Sequence, residues 1–90
     1  MNSSPKRILI VSSERHIVRL IEVNMARQGY EIGKAFSGQE ALALLEAEHF
    51  DIAVVDCNQV DMTRGELVER ISATSDIRVI LLDEHRQPRL

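Results

Sequence analysis

The carboxylate of Asp56 is the group in this chain of 90 residues that is best placed for chemistry. It follows Ile52-Ala53-Val54-Val55, a short apolar run that is typical of a buried strand. A second apolar run, 7–11, is followed by the hydroxyls of Ser12 and Ser13. Because open α/β sheets hold their ligands beyond the carboxyl ends of their strands, these three side chains define a candidate site.

Two more carboxylates, those of Asp83 and Glu84, follow a third strand-like run over 77–82. We expect them at the same edge of the sheet, where like-charge repulsion between Asp83 and Asp56 could raise one pKa of the pair. A plain structural explanation is also open, because carboxylates commonly solvate the start of a loop.

The two serines likewise have a structural explanation that needs no chemistry. Ser13 is a plausible N-cap of the helix that follows, and Ser12 would then occupy the turn before it. His16, His49 and His85 are too far apart in the sequence to suggest a metal site.

Strands and helices alternate along the chain, and this alternation must position the site. Gly29 marks the end of the first helix, and Ser37 with Glu40 and Thr63 with Glu66 have the spacing of capping boxes. Such an order predicts right-handed crossovers and a parallel sheet. The predicted elements are strands over 7–11, 30–35, 52–56 and 77–82, with helices over 14–28, from Ser37 to near His49, and from Thr63 through Ile71.

Composition excludes several classes of protein. The net charge is −3 and the pI is about 5.5, so the chain lacks the basic character of a nucleic-acid-binding protein. Cys57 is the only cysteine, which excludes an internal disulfide and suits the cytoplasm. No apolar stretch approaches the ~20 residues that cross a bilayer. We expect a disordered leader over 1–5 and an irregular tail over 85–90.

Several motifs together indicate a known family. They are the run from Lys6 to Val11, the helix ending at Gly29-Tyr30, the stretch Ser37-Gly38-Gln39-Glu40-Ala41-Leu42 and the strand ending at Asp56. Over residues 6–84 the chain resembles the receiver domain of two-component response regulators. The resemblance implies an α/β, flavodoxin-like open parallel sheet of order 2-1-3-4 with three helices, lacking the family's last strand and final helices.

For function, the resemblance implies phosphotransfer from a histidine kinase to Asp56 with the help of Mg²⁺. The chain departs from the family at the same edge of the sheet. Ser12 and Ser13 stand where the family has two acidic residues, and Asp83 and Glu84 stand at the switch position and the position after it. A serine hydroxyl brings no negative charge to hold a divalent cation, and no lysine stands at the family's usual place.

These departures predict an atypical receiver-like module that works independently of phosphorylation and is not an enzyme. We expect no cofactor and no bound metal, with Mg²⁺ required only if the Asp56 site is active. Two alternatives stay open: a phospho-acceptor receiver phosphorylated on Asp56 by a histidine kinase, and, less favoured, a metal-dependent phosphatase.

The fourth strand would lie at the edge of this sheet with apolar side chains uncovered. Exposed apolar edges pair readily with other chains. We therefore expect a homodimer, or a partner protein that completes the sheet, and no role for nucleic acid or membrane. The expected interface residues are Ile77, Val79, Ile80, Leu81 and Leu82.

Overall fold

The computed structural model describes residues 5–56, 61–74 and 76–82. Strands and helices alternate in the predicted order. They are β1 (Arg7–Val11), α1 (Arg15–Arg27), β2 (Glu31–Ala35), α2 (Gly38–Ala47), β3 (Ile52–Asp56), α3 (Arg64–Thr74) and β4 (Arg78–Leu82). Most of the predicted leader, over 1–4, and all of the predicted tail, over 85–90, lie outside the described residues.

The four strands form one parallel sheet in the order β2-β1-β3-β4, as predicted. The central strands β1 and β3 are almost wholly buried, which explains their continuous apolar sequences. The pairing places Val11 beside Val55 and Asp56 beside Leu82. The carboxyl ends of β1, β3 and β4 therefore lie at one edge of the sheet, where the candidate site was expected.

Helices cover both faces of the sheet, and each face has its own apolar core. On one face α2 and α3 cover Leu9 and Val55 of the sheet, and Leu67 of α3 packs in the same core. On the other face α1 packs on β1 and β2, and its Val18 lies in one core with Ile10 of β1. Among the described residues no helix is long and apolar enough to span a membrane.

The ends of the helices agree with the sequence at most positions. The Ser37 hydroxyl accepts a hydrogen bond from the Glu40 amide at 3.1 Å, and the Thr63 hydroxyl accepts one from the Glu66 amide at 3.1 Å. Gly29 ends α1 with a φ of 93°, a conformation that side chains disfavour.

One predicted cap is wrong. Glu14, not Ser13, is the N-cap of α1, and its side chain makes no capping bond. The reason is a turn one residue earlier: the Ser12 hydroxyl accepts a hydrogen bond from the Glu14 amide at 3.0 Å. This turn keeps Glu14 extended, so the helix begins at Arg15.

β4 begins one residue later than predicted, at Arg78, and its side chains are buried to different extents. Ile77 and Val79 pack against the core beneath α2 and α3, and Leu82 packs against the core beneath α1. Ile80 and Leu81 are 43% and 46% exposed. The uncovered part of the predicted interface is therefore these two side chains.

The opposite edge of the sheet, at the amino ends of the strands, is held by Asp51. Its Oδ2 accepts a hydrogen bond from the Arg7 amide at 2.8 Å, which joins the start of β1 to the loop before β3. Two hydrogen bonds lower the pKa of the Asp51 carboxyl. The bond from the Arg7 amide has the larger effect, and the bond from the His49 ring has the smaller.

Candidate functional site

Asp56 lies at the last position of β3 with its side chain turned inward and only 7% exposed. Ser12 directly follows β1, the neighbouring strand, and is fully buried. The Ser12 hydroxyl donates a hydrogen bond to Oδ2 of Asp56 at 2.8 Å. The structure thus brings together two of the residues that the sequence placed at this edge, Ser12 and Asp56.

The Ser12 side chain makes two contacts at once. Its oxygen accepts from the Glu14 amide at 3.0 Å while its proton is directed to Asp56. By accepting one hydrogen bond and donating another, the Ser12 hydroxyl connects the start of α1 to the end of β3. The β1–α1 turn is therefore joined to the Asp56 carboxylate through the Ser12 hydroxyl.

The described side chains offer a magnesium ion little negative charge. Mg²⁺ in proteins is held by one or two carboxylates together with waters or phosphates, in near-ideal octahedral geometry. Here one carboxylate, that of Asp56, is directed towards a hydroxyl donor. Across residues 5–56, 61–74 and 76–82, no three His, Cys, Asp or Glu side chains are grouped so that they could hold a metal ion.

The other residues that the sequence placed at this edge are Ser13 and the residues at the switch position, Asp83 and Glu84. Ser13 is half-buried beside Ser12 in the β1–α1 turn. Asp83 and Glu84 lie outside the described residues, so their predicted place at this edge stays a prediction. Cys57, which follows Asp56, is also outside the described residues.

A cation that the sequence did not single out lies at the same edge. Arg64, the first residue of α3, donates from Nη1 to the carbonyl of Leu82 at 3.0 Å. Leu82 is the register partner of Asp56 across β3 and β4. Arg64 therefore brings its positive charge to the carboxyl end of β4, next to the strand that carries Asp56.

Asp61 is the second residue that sequence reasoning missed. Its two carboxylate oxygens accept from the amides of Gly38 and Gln39, both at 2.9 Å, at the start of α2. These two bonds lower the pKa of the Asp61 carboxyl, that from Gly38 having the larger effect. The loop after β3 is thereby fastened to α2, and Met62 packs so closely on Gly38 that a side chain there would collide with it.

Comparison with known proteins points to one family. Residues 8–90 match the response regulator receiver domain family. A probable transcriptional regulator ycf27 from Cyanophora paradoxa is 32% identical over 82 residues, which are 91% of this chain and 34% of that protein. The alkaline phosphatase synthesis transcriptional regulatory protein PhoP of Bacillus subtilis is 43% identical over 51 residues, 57% of this chain and 21% of that protein. The chain spans about a third or less of these relatives.

Solved structures show the same fold. A CheY-like receiver domain protein from Methanospirillum hungatei superimposes with a TM-score of 0.88 at 30% identity, covering 93% of this chain and 68% of that one. The response regulator TrrA of Thermotoga maritima, solved in complex with Mg²⁺-BeF, superimposes with a TM-score of 0.83 at 31% identity, covering 89% of this chain and 70% of that one. The flavodoxin-like receiver fold predicted from the sequence is confirmed.

Proposed function

Because the chain belongs to the response regulator receiver domain family, we propose that it is an atypical receiver in a cytoplasmic two-component signalling pathway. In this proposal it acts by contact with other proteins and does not depend on phosphorylation of Asp56. It performs no catalysis of its own and requires no cofactor.

The observation that carries this proposal is the bond between Ser12 and Asp56. The Ser12 hydroxyl oxygen lies 2.8 Å from Oδ2 of Asp56 and donates its proton to it, and both side chains are buried. Attack by a carboxylate on a phosphoryl group brings two anions together, and a divalent cation is what offsets their repulsion. With one described carboxylate at this site, the means of holding that cation are weak.

Incubation with a small-molecule phosphodonor and Mg²⁺, followed by intact-mass measurement, tests the proposal. We expect no gain of a phosphoryl group by the wild-type chain. A gain that disappears in Asp56→Asn would overturn the proposal. The TrrA receiver domain, treated in the same way, is the positive control for the donor.

A second candidate function keeps Asp56 as an acceptor for phosphate from a histidine kinase. It is favoured by two observations: the carboxylate is retained at the end of β3, and Arg64 brings a cation to the same edge. Under this alternative Arg64 would offset the charge of the phosphoryl group. A metal-dependent phosphatase, the third possibility, has no support from the described residues, among which no group of metal ligands is found.

The proposed contact surface is the outer part of β4, defined by Ile80 and Leu81. These are two of the large apolar side chains that remain exposed, and they lie on opposite faces of the strand because side chains alternate there. α1 packs mainly on β1 and β2, and α3 packs on β3, and Ile80 and Leu81 of β4 stay exposed. We propose that a second copy of the chain, or a partner protein, pairs with this edge.

A further inference from the structure

An open groove runs between the first half of α1 and the end of β2, on the far side of the sheet from β4. Its volume is about 530 Å³, within the range of small-molecule sites. The buried side chain of Val18 and the ring of Phe36 give it apolar walls. Arg15, Arg19 and Lys34 also line it.

The charge of the groove is opposite to that of the chain. Three cations, Arg15, Arg19 and Lys34, face one carboxylate, that of Glu22, which gives +2 with the His16 ring neutral. The whole chain carries −3. Glu22 is engaged with Lys34 at 3.3 Å, so the positive excess is concentrated at the two arginines, one turn apart on α1.

One of these arginines is already arranged for a planar ligand. The Arg15 guanidinium lies over the Phe36 ring, 4.2 Å from its centre. The guanidinium is planar, and cation–π attraction holds it against the ring. A flat guanidinium presents a second face on which a nucleic-acid base can stack.

We propose that this groove binds a mononucleotide. The base stacks on the Arg15 guanidinium above Phe36, and the phosphate takes charge-assisted hydrogen bonds from Arg19 and Lys34. Arginine and lysine are the side chains suited to phosphate oxygens, arginine through its fork of parallel donors. Asp56 is not among the residues that line this groove.

Adenosine monophosphate and ribose 5-phosphate, titrated separately into ¹⁵N-labelled full chain, form the test. The two probes carry the same phosphate and differ by the base. We expect saturable amide shifts at α1 and β2 with both, and binding of adenosine monophosphate about tenfold tighter, the equivalent of about 1.4 kcal/mol for the stack. Equal affinity for the two probes, or no saturable shift with either at millimolar concentration, overturns the proposal.

Three single substitutions on the exposed surface of α1 locate the site. Arg19→Gln should weaken both probes by about tenfold or more, since a hydrogen bond to a charged group is lost. Arg15→Gln should remove the preference for adenosine monophosphate over ribose 5-phosphate. Arg27→Gln, at the last turn of α1 and outside the groove, should change neither affinity. If Arg27→Gln lowers the affinity for the probes as much as Arg19→Gln does, the probes are attracted by the overall positive charge of α1 and not by the groove. That result would overturn the assignment. Circular dichroism checks that each variant keeps its helix content.

Discussion

The hydroxyl of Ser12 lies 2.8 Å from Oδ2 of Asp56 and donates its proton to it, joining the ends of two neighbouring strands inside the protein. In the receiver family the position of Ser12 is acidic and helps to hold a cation. In this chain the residue at that position is neutral and donates a hydrogen bond directly to the Asp56 carboxylate. Ser12 therefore joins two strands without bringing negative charge to the site.

Replacing Ser12 with aspartate should restore magnesium binding. A second carboxylate beside Asp56 supplies the charge that Mg²⁺ needs, so its affinity should rise by about tenfold or more over the wild type. Without the metal the variant should be less stable than the wild type, because two close carboxylates repel. Calorimetric titration with Mg²⁺ measures the first effect and thermal unfolding measures the second.

Ser12→Ala is the matched control for that substitution. It removes the same hydrogen bond and adds no charge, so it should lower the free energy of unfolding by about 1–3 kcal/mol and leave Mg²⁺ binding weak. An equal gain of Mg²⁺ affinity in Ser12→Ala and Ser12→Asp would show that charge is not what the site lacks.

Arg64→Gln should loosen the end of β4. The bond from Arg64 Nη1 to the Leu82 carbonyl joins α3 to the sheet edge, and its loss should cost about 1–2 kcal/mol. Hydrogen exchange should become faster at the end of β4 than at β3.

Arg70→Gln is the control for Arg64→Gln, since the exposed Arg70 forms an ion pair with Glu66 within α3 at 3.8 Å. Such a pair contributes at most about 0.5 kcal/mol. Equal effects of the two substitutions would argue against a special role for Arg64.

Asp61→Asn should lower the melting temperature by several degrees at pH 7, because the carboxylate accepts two amides at the start of α2. Folding lowers the pKa of this carboxyl, so its contribution is complete above the pKa of the unfolded state, about 3.9. It is lost as the pH falls through the lower value of the folded state. Melting curves from pH 7 to pH 2 should therefore show the difference between wild type and Asp61→Asn shrinking below about pH 4.

The exposed Asp76 provides the control for Asp61. Asp76→Asn removes the same charge from a position before β4 and should change the melting temperature little at any pH. A difference between wild type and Asp61→Asn that stays constant down to pH 2 would contradict the role given to the carboxylate.

The outer part of β4 should mediate self-association. Ile80→Lys combined with Leu81→Lys should weaken a dimer by more than about tenfold, because charge is placed on an apolar edge. Light scattering at micromolar concentration measures the oligomeric state. Leu20→Lys, at a side chain that is 59% exposed on α1, is the control and should leave the dimer intact. A wild-type chain that is monomeric under these conditions would contradict the homodimer.

Local sequence signals predicted the fold well. The unbroken apolar runs of β1 and β3 indicated strands buried on both faces, and both are buried. Ser37 and Thr63 predicted helix starts because their capping partners lie three residues away, within one turn. Ser13 is not the cap because the Ser12 hydroxyl accepts from the Glu14 amide, and Ser12 also bonds to Asp56, 44 residues away, which local spacing does not reveal.

Contacts between distant residues explain what the sequence did not predict at the site. Asp61 bonds to an amide 23 residues earlier, and Arg64 to a carbonyl 18 residues later, so no local spacing indicates either. The basic groove is similar, because β2 and the residue after it bring Lys34 and Phe36 beside Arg15 and Arg19 of α1.

The most direct test of the central claim is ¹⁹F NMR of the wild-type chain with Mg²⁺ and beryllofluoride, a mimic of the phosphoryl group. We predict no bound fluoride signal for the wild type, and a bound signal for Ser12→Asp that is lost when Asp56→Asn is added. A saturating bound signal for the wild type, lost in Asp56→Asn, would contradict the claim that the Ser12 hydroxyl has silenced this site.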